Sequence, residues 1–230
     1  MMKNNKYFEI FDYDLEKYNF PKIISDFLNT NALDTLKIDS GNHNLQFIDS
    51  LYKNMERTKA YEDLYSSLNS DEGKRFYDVY MKFIGEVIRP IYDEAIYYQS
   101  KPTHRILYRN SKGVSRFHRD KDYGHSMFEI NYFVPQTEAF GTNTVWIESE
   151  EGKEDFKPMD LKPGQFARFD GPNLMHGAKL NTTGKTRVSF DFRIVKSSDL
   201  SSSDNSIKAD ATYDLQKELS RNAHRFKICE

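Results

Sequence analysis

Cysteine is nearly absent. Cys229, next to last among 230 residues, is the single one, so the chain makes no internal disulfide and a reducing, cytoplasmic setting is expected. Long apolar runs are missing too: no stretch approaches the roughly 20 residues of a membrane-spanning helix, which excludes a helical membrane protein. The segment Met1–Phe11 is polar and of mixed charge, unlike a signal peptide. Charge of one sign is lacking as well, with 33 Lys and Arg against 35 Asp and Glu for a formal −2. That balance speaks against general nucleic-acid binding, which depends on neutralising phosphates. There is no internal repeat and no strong low-complexity block. What the chain does have is aromatic: 17 Phe and 15 Tyr bring aromatics to 14%, although apolar residues make up only 38%. Disordered chains lack aromatics, so this one is expected to fold, and its length suits one structural domain with a real core.

The texture changes along the chain. Residues 1–102 read as a helical support region. A helix is expected from Ser70 to Tyr98, with Ser70 as N-cap and Asp71 and Glu72 favoured by the dipole in the first turn. Phe76, Tyr80, Phe83, Ile84, Val87, Ile88 and Ile91 give it one apolar stripe, and Pro90 is expected to kink or split it. A shorter helix is expected around Lys22–Asn29. Residues 103–195 read instead as short strands separated by turn signals: Thr103–Arg109, Gly113–His118, Met127–Val134, Asn143–Ile147, Gln165–Phe169 and Thr186–Ile194. This spacing points to a mainly β sandwich or barrel. In the last strand Val188, Phe190 and Phe192 share one face, while Arg187, Ser189, Asp191 and Arg193 share the other. Residues 196–230 read as a peripheral tail, a Ser/Asp-rich loop followed by a short amphipathic helix over Lys208–Glu230.

The chemistry gathers in Ser115-Arg116-Phe117-His118-Arg119-Asp120. In extended chain, residues two apart face the same way, so His118 and Asp120 present an imidazole and a carboxylate together. His176 follows 56 residues after Asp120, in Asn173-Leu174-Met175-His176-Gly177. Two neutral imidazoles and one carboxylate on one face of a metal form the facial triad of non-haem Fe(II) oxygenases, which leaves the opposite face open. Arg187 comes eleven residues after His176, with Ser189 two further on. A rigid guanidinium fork with a hydroxyl beside it suits a distal carboxylate.

The ordered set His118-x-Asp120, His176, Arg187-x-Ser189 resembles the Fe(II)/2-oxoglutarate-dependent oxygenase superfamily. Within it, four stretches are similar to a bacterial branch linked with streptomycin biosynthesis and other carbohydrate or natural-product gene clusters. They are Phe117–His125, Glu129–Pro135, Gly141–Ser149 and Thr186–Arg193. The resemblance covers about 103–195. It implies a double-stranded β-helix, that is, a jelly-roll or cupin-like core, with the N-terminal helices packed around it. It also implies Fe(II) held by His118, Asp120 and His176. Arg187 with Ser189 would grip the far carboxylate of 2-oxoglutarate, and O2 would be consumed as that co-substrate is decarboxylated to succinate. Asp120, where a halogenase of this fold has a small residue, points to hydroxylation, desaturation or ring chemistry. The expected substrate is a small molecule such as a sugar, amino sugar or natural-product intermediate.

Other residues carry weaker expectations. Asn131 and Glu129 share a strand face opposite Phe128, Ile130 and Tyr132, and Asn131 is a candidate contact to co-substrate or substrate. Arg193 is the fallback carboxylate anchor. Arg119, His125, Arg116 and Trp146 are candidate substrate residues flanking the motif. Tyr108 is assigned to core packing, and His43, His104 and His224 have no partner pattern. Between Lys101 and His125, seven Lys or Arg stand against two acids, a basic rim suited to an anionic substrate or simply a protected strand edge. Two other readings stay open: a cupin-type sugar isomerase or epimerase, and a non-enzymatic carbohydrate-binding jelly roll. An isomerase has no use for a dicarboxylate anchor such as Arg187-x-Ser189, and a binding module should show no Fe(II)-dependent uptake of 2-oxoglutarate.

Overall fold

The computed structural model describes residues 3–4, 7–38, 58–112, 116–201 and 226–230. Among them the protein is mainly antiparallel β, in two sheets. The strands are β1 (Lys3–Asn4), β2 (Glu9–Asp12), β3 (Ile96–Gln99), β4 (Thr103–Leu107), β5 (Ile130–Pro135), β6 (Val145–Ile147), β7 (Lys157–Pro158), β8 (Gln165–Phe169), β9 (His176–Ala178), β10 (Arg187–Lys196) and β11 (Phe226–Cys229). The large sheet runs β1-β2-β8-β5-β10-β3-β11, with β4 also paired to β10. The small sheet runs β7-β6-β9. Ten residues long, β10 is the hub. It pairs with β5 along one edge, and with β4 and then β3 along the other.

The two-residue repeat of β10 explains how the layers stack. Val188, Phe190, Phe192 and Ile194 are fully buried on the outer face of the large sheet. Against them lie three helices, α1 (Phe20–Phe27), α2 (Lys59–Asn69) and α3 (Lys74–Phe83). Phe190 meets the rings of Phe20, Phe76 and Tyr80 edge-on at 5.0–6.0 Å, the arrangement aromatic quadrupoles favour. The inner face packs Phe133, Ala167 and Phe169 toward Ile147 of the small sheet, forming a second, smaller core. No helix among the described residues is long and apolar enough to cross a membrane.

Local chemistry sets the helix ends. Asn19 accepts from the Lys22 amide at 3.0 Å and caps α1, and Thr58 accepts from Tyr61 to cap α2. The helix expected over Ser70–Tyr98 is shorter. A 3-10 turn precedes α3, one π-helical turn follows at Ile84–Ile88, and a 3-10 turn ends the run at Arg89–Ile91. Pro90 has no N–H to continue the ladder, so Tyr92 is already extended. Ile96 and Tyr98, which continue the apolar text, are both buried and alternate with half-buried Tyr97 and Gln99 as part of β3 instead.

The large sheet thus draws strands from both sides of 103–195. The tail opens with a short helix, Ser197–Ser201, where a loop is expected, and ends not in a helix but in β11, paired to β3; residues 202–225, His224 among them, lie outside the described residues, as does His43. Of the expected strand Gly113–His118, residues 113–115 lie outside the description. In its described part only His118 bridges, to His176.

His104 of β4 faces the helices, 1% exposed, with Phe76 and Phe190 at 4.9 and 5.7 Å. Neither ring nitrogen has a hydrogen-bond partner, and burial pushes the imidazole down to about 3. Unfolded His104 therefore binds a proton that the native state refuses. Stability is expected to rise with pH between about 3 and about 6.5, by up to about 1.4 kcal/mol per pH unit from this group. Urea denaturation at pH 4.5, 5.5 and 6.5 should show a flatter slope for His104→Leu than for wild type.

Candidate functional site

Two side chains of one short motif, His118 and Asp120, meet the distant His176 between the two sheets. His118 and His176 form an antiparallel bridge in which each backbone N–H donates to the other's carbonyl at 2.9 Å. Their rings lie 4.6 Å apart. Gly177 makes this approach fit, since a Cβ there would stand 2.8 Å from the Cα of Phe117. Asp120 begins a 3-10 turn, and its amide donates to the Gly171 carbonyl at 3.1 Å.

The ring nitrogens are assigned by their partners. His118 Nδ1 donates to the Arg116 carbonyl at 2.7 Å, and His176 Nδ1 to the Leu174 carbonyl at 3.0 Å. A carbonyl only accepts, so in the neutral form of each ring the lone pair is on Nε2; the Asp120 carboxylate raises the His118 imidazole, so a metal bound there would displace a proton. Both Nε2 atoms converge on Asp120 Oδ1, at 3.2 Å for His118 and 3.7 Å for His176. The three donor atoms lie within 4.8 Å of one another. Ligands each about 2.0–2.2 Å from one ion stand at separations of this order, so the residues fit a divalent metal. Burial also pushes the His176 imidazole down, which favours the neutral, ligating form.

The other carboxylate oxygen is held by the protein. Asp120 Oδ2 accepts from Asn131 Nδ2 at 2.8 Å, and from Arg193 Nε and Nη2 at 3.1 and 2.9 Å. Burial alone would raise the Asp120 carboxyl, but His118, Arg193, His176 and Asn131 together hold it well below the usual carboxylate range. Arg193 in turn reaches Glu129 Oε2 at 3.2 Å, and His125 Nδ1 lies 3.2 Å from the same oxygen. Glu129 is wholly buried. Gly171 leaves room for Asn131, because a Cβ there would fall 2.4 Å from its amide.

The triad opens into a pocket of about 710 Å³, counting its mouth, lined also by Arg105, Leu107, Phe133, Phe169, Arg187 and Asp191. Arg187 is 5% exposed and lies over the Phe133 ring at 5.3 Å. Its Nη1 donates to Ser189 Oγ at 2.6 Å, while its buried Nε has no partner. Burial pushes this guanidinium down to about 10. Among the described residues it touches no carboxylate.

The remaining expected residues fall elsewhere. Arg193 is committed to Asp120 and Glu129. Asn131 lines the pocket but spends its amide on Asp120. Arg119 turns outward to Asp122 and Glu151, and Lys121 joins it on Glu151 at 2.8 Å, so the basic rim is partly neutralised by an acid remote in sequence. Arg116 is exposed and supplies its carbonyl to His118. Trp146 donates to the Gly141 carbonyl under Lys179, on β6 beside the pocket-lining Val145. Tyr108 is buried with its hydroxyl on Thr58. Sequence reasoning missed Glu148, fully buried, which accepts from the amides of Met175 and Glu154 and so pins the approach to His176. Nothing in a surface-like Ile-Glu-Ser signals that.

No protein-family model matches the chain. Over 131 residues it is 42% identical to the streptomycin biosynthesis protein StrG of Streptomyces griseus, a match covering 52% of this chain and 60% of that protein. The match thus spans less than two thirds of the relative's length. Similar solved structures include a nickel complex of the non-heme monooxygenase ThoJ, at TM-score 0.44 and 10% identity over 83% of this chain and 75% of that one. Another is EctD from S. alaskensis with bound Fe, at TM-score 0.47 and 14% identity over 82% and 72%. EctD with 2-oxoglutarate and 5-hydroxyectoine gives 0.45 and 15% over 83% and 72%.

Outer partners of metal ligands usually matter for affinity by about 10- to 100-fold. Glu129→Gln keeps the shape but removes the charge that braces Arg193, and Gly171→Ala pushes Asn131 off Asp120. Each is expected to weaken Fe(II) binding about tenfold, as read by anaerobic competition with a metal indicator.

Proposed function

We propose that the protein is a non-haem Fe(II)- and 2-oxoglutarate-dependent dioxygenase with a jelly-roll core, oxidising a small molecule in a biosynthetic sequence. The observation that carries this reading is Arg187. A buried guanidinium with no carboxylate partner is costly, and this one faces the same pocket as a His–Asp–His set. A dicarboxylate chelating the metal at one end and reaching Arg187 with the other satisfies both at once. Ser189 orients the fork and Phe133 supports its face. An isomerase or a carbohydrate-binding module has no use for that cation.

His118, Asp120 and His176 would hold the metal, leaving its pocket side for co-substrate and O2. When bound, the metal would activate O2, the oxidant, with 2-oxoglutarate supplying two of the four electrons and leaving as succinate and CO2. The protein's part is to aim both Nε2 atoms at the metal through the Nδ1 donors and to keep Asp120 ionised with the help of Arg193. It also encloses the reaction between Phe133, Val145 and Phe169. The relative's role in streptomycin biosynthesis supports a natural-product or sugar-derived substrate.

Anaerobic addition of Fe(II) and 2-oxoglutarate should produce the visible charge-transfer band of the chelate. His176→Ala is expected to abolish it. A band of full strength in that variant, or none in wild type, ends the proposal. Arg187→Gln should retain Fe(II) but require roughly 10- to 100-fold more 2-oxoglutarate to develop the band, the loss expected for a charge-assisted bidentate contact.

A further inference from the structure

Arg105 is the pocket cation left over once the proposed chemistry has taken its residues. It stands on β4 opposite Ser189 in the β4–β10 register, one strand from Arg187, and it lines the same pocket as the His–Asp–His set. Its Nε donates to Asp191 Oδ1 at 3.2 Å. Its two terminal nitrogens have no hydrogen-bond partner among the described residues, and its side chain is 30% exposed. The bound edge is thus fixed and the outer fork is open, in the geometry that accepts a carboxylate or phosphate by two parallel hydrogen bonds.

The other pocket groups are matched without the terminal nitrogens of Arg105. Asp120 and the wholly buried Glu129 hold Arg193, and Asp191 takes only the Nε of Arg105. Filling the site as proposed gives Arg187 the co-substrate carboxylate and still leaves the outer fork of Arg105 without an acceptor. The rest of the lining near it, Leu107, Phe133, Val145 and Phe169, is apolar, and a cation there is worth more than one on the rim. The rim cations of the same segment are already engaged, Arg119 and Lys121 sharing Glu151.

We infer that Arg105 binds an oxyanion of the primary substrate, a small molecule bearing a carboxylate, phosphate or sulfate group. This rests on the dioxygenase reading for the assignment of Arg187 to co-substrate. Arg105 is then the specificity residue of the pocket: it places the anionic end against β4 and leaves the remainder of the molecule toward the metal.

Sulfate is the probe, titrated calorimetrically without oxygen into protein loaded with Fe(II) and 2-oxoglutarate. Arg105→Gln is expected to weaken sulfate about tenfold with an unchanged chelate band. Asp191→Asn, which removes the competing carboxylate, is expected to tighten it, whereas a merely structural role for the pair makes both variants lose affinity. Acetate and inorganic phosphate in the same titration tell a carboxylate site from one for tetrahedral oxyanions. Equal sulfate affinity in wild type and Arg105→Gln, or no sulfate binding by wild type, overturns the inference while leaving the functional reading intact. Loss of the chelate band in Arg105→Gln also overturns it, making Arg105 a co-substrate residue. Absence of the band in wild type defeats the functional reading instead, and the same sulfate comparison on metal-free protein then decides the anion site by itself.

Discussion

The two-residue repeat of β10 is the constraint on which the molecule depends. One face, Val188, Phe190, Phe192 and Ile194, is fully buried under the helices. The other carries Arg187, Ser189, Asp191 and Arg193, and three of these reach the pocket. A slip of one residue would exchange the faces, burying four polar side chains in an aromatic core and turning the aromatics into the pocket. Pairing on both edges excludes that. Between Ser189 and Asp191 the strand is bonded to β4 and β5 at once, so Ser189 and Asp191 stand on backbone held from both edges.

Charge on an inner face has to be answered from neighbouring strands, and the register supplies the answers. Arg193 stands opposite Asn131 of β5, and both meet on Asp120. Asp191 stands opposite Thr103, two positions along from Ser189 and its partner Arg105, and Asp191 takes the Arg105 Nε. On this face of β10 each charge is thereby paired except Arg187, which among the described residues has only the Ser189 hydroxyl. Buried charges unpaired in the folded protein lower its stability. Retaining one beside a metal-ligating set is what a site does when its counter-charge arrives with a ligand.

The parts legible in sequence were those with short-range periodicity or ordered spacing. Alternation in Thr186–Ile194 put the right residues on the right faces of β10, because period two survives any tertiary context. His118, Asp120 and His176 were readable as a set because the first two share a strand-like spacing and the third sits in a Gly-containing turn that lets two backbones close. The long helix was misjudged where an apolar stripe ran on past Pro90: periodicity does not separate a short buried strand such as Ile96–Gln99 from one more helical turn. The polar network was out of reach for a different reason. Glu129, Glu148 and Glu151 are alike in sequence, yet one braces Arg193, one anchors the His176 approach and one sits on the surface with Arg119 and Lys121. Only contacts across 25 or more positions tell them apart.

The same separation explains why a count of local charge misleads. Seven cations against two acids between Lys101 and His125 reads as a basic rim, but folding brings Glu151 to Arg119 and Lys121, and Asp191 to Arg105. Exposed pairs of this kind contribute little to stability. Their consequence is electrostatic: a cation paired on the surface is no longer available to attract an anion, whereas one in a pocket with a free edge remains so, in a medium that screens it less. On the proposed reading, recognition of charge moves from the rim to the floor. There the β4 and β10 cations stand one strand apart, and the spacing between them, set by backbone pairing and not by side-chain reach, would limit how two negatively charged molecules lie together beside the His–Asp–His set.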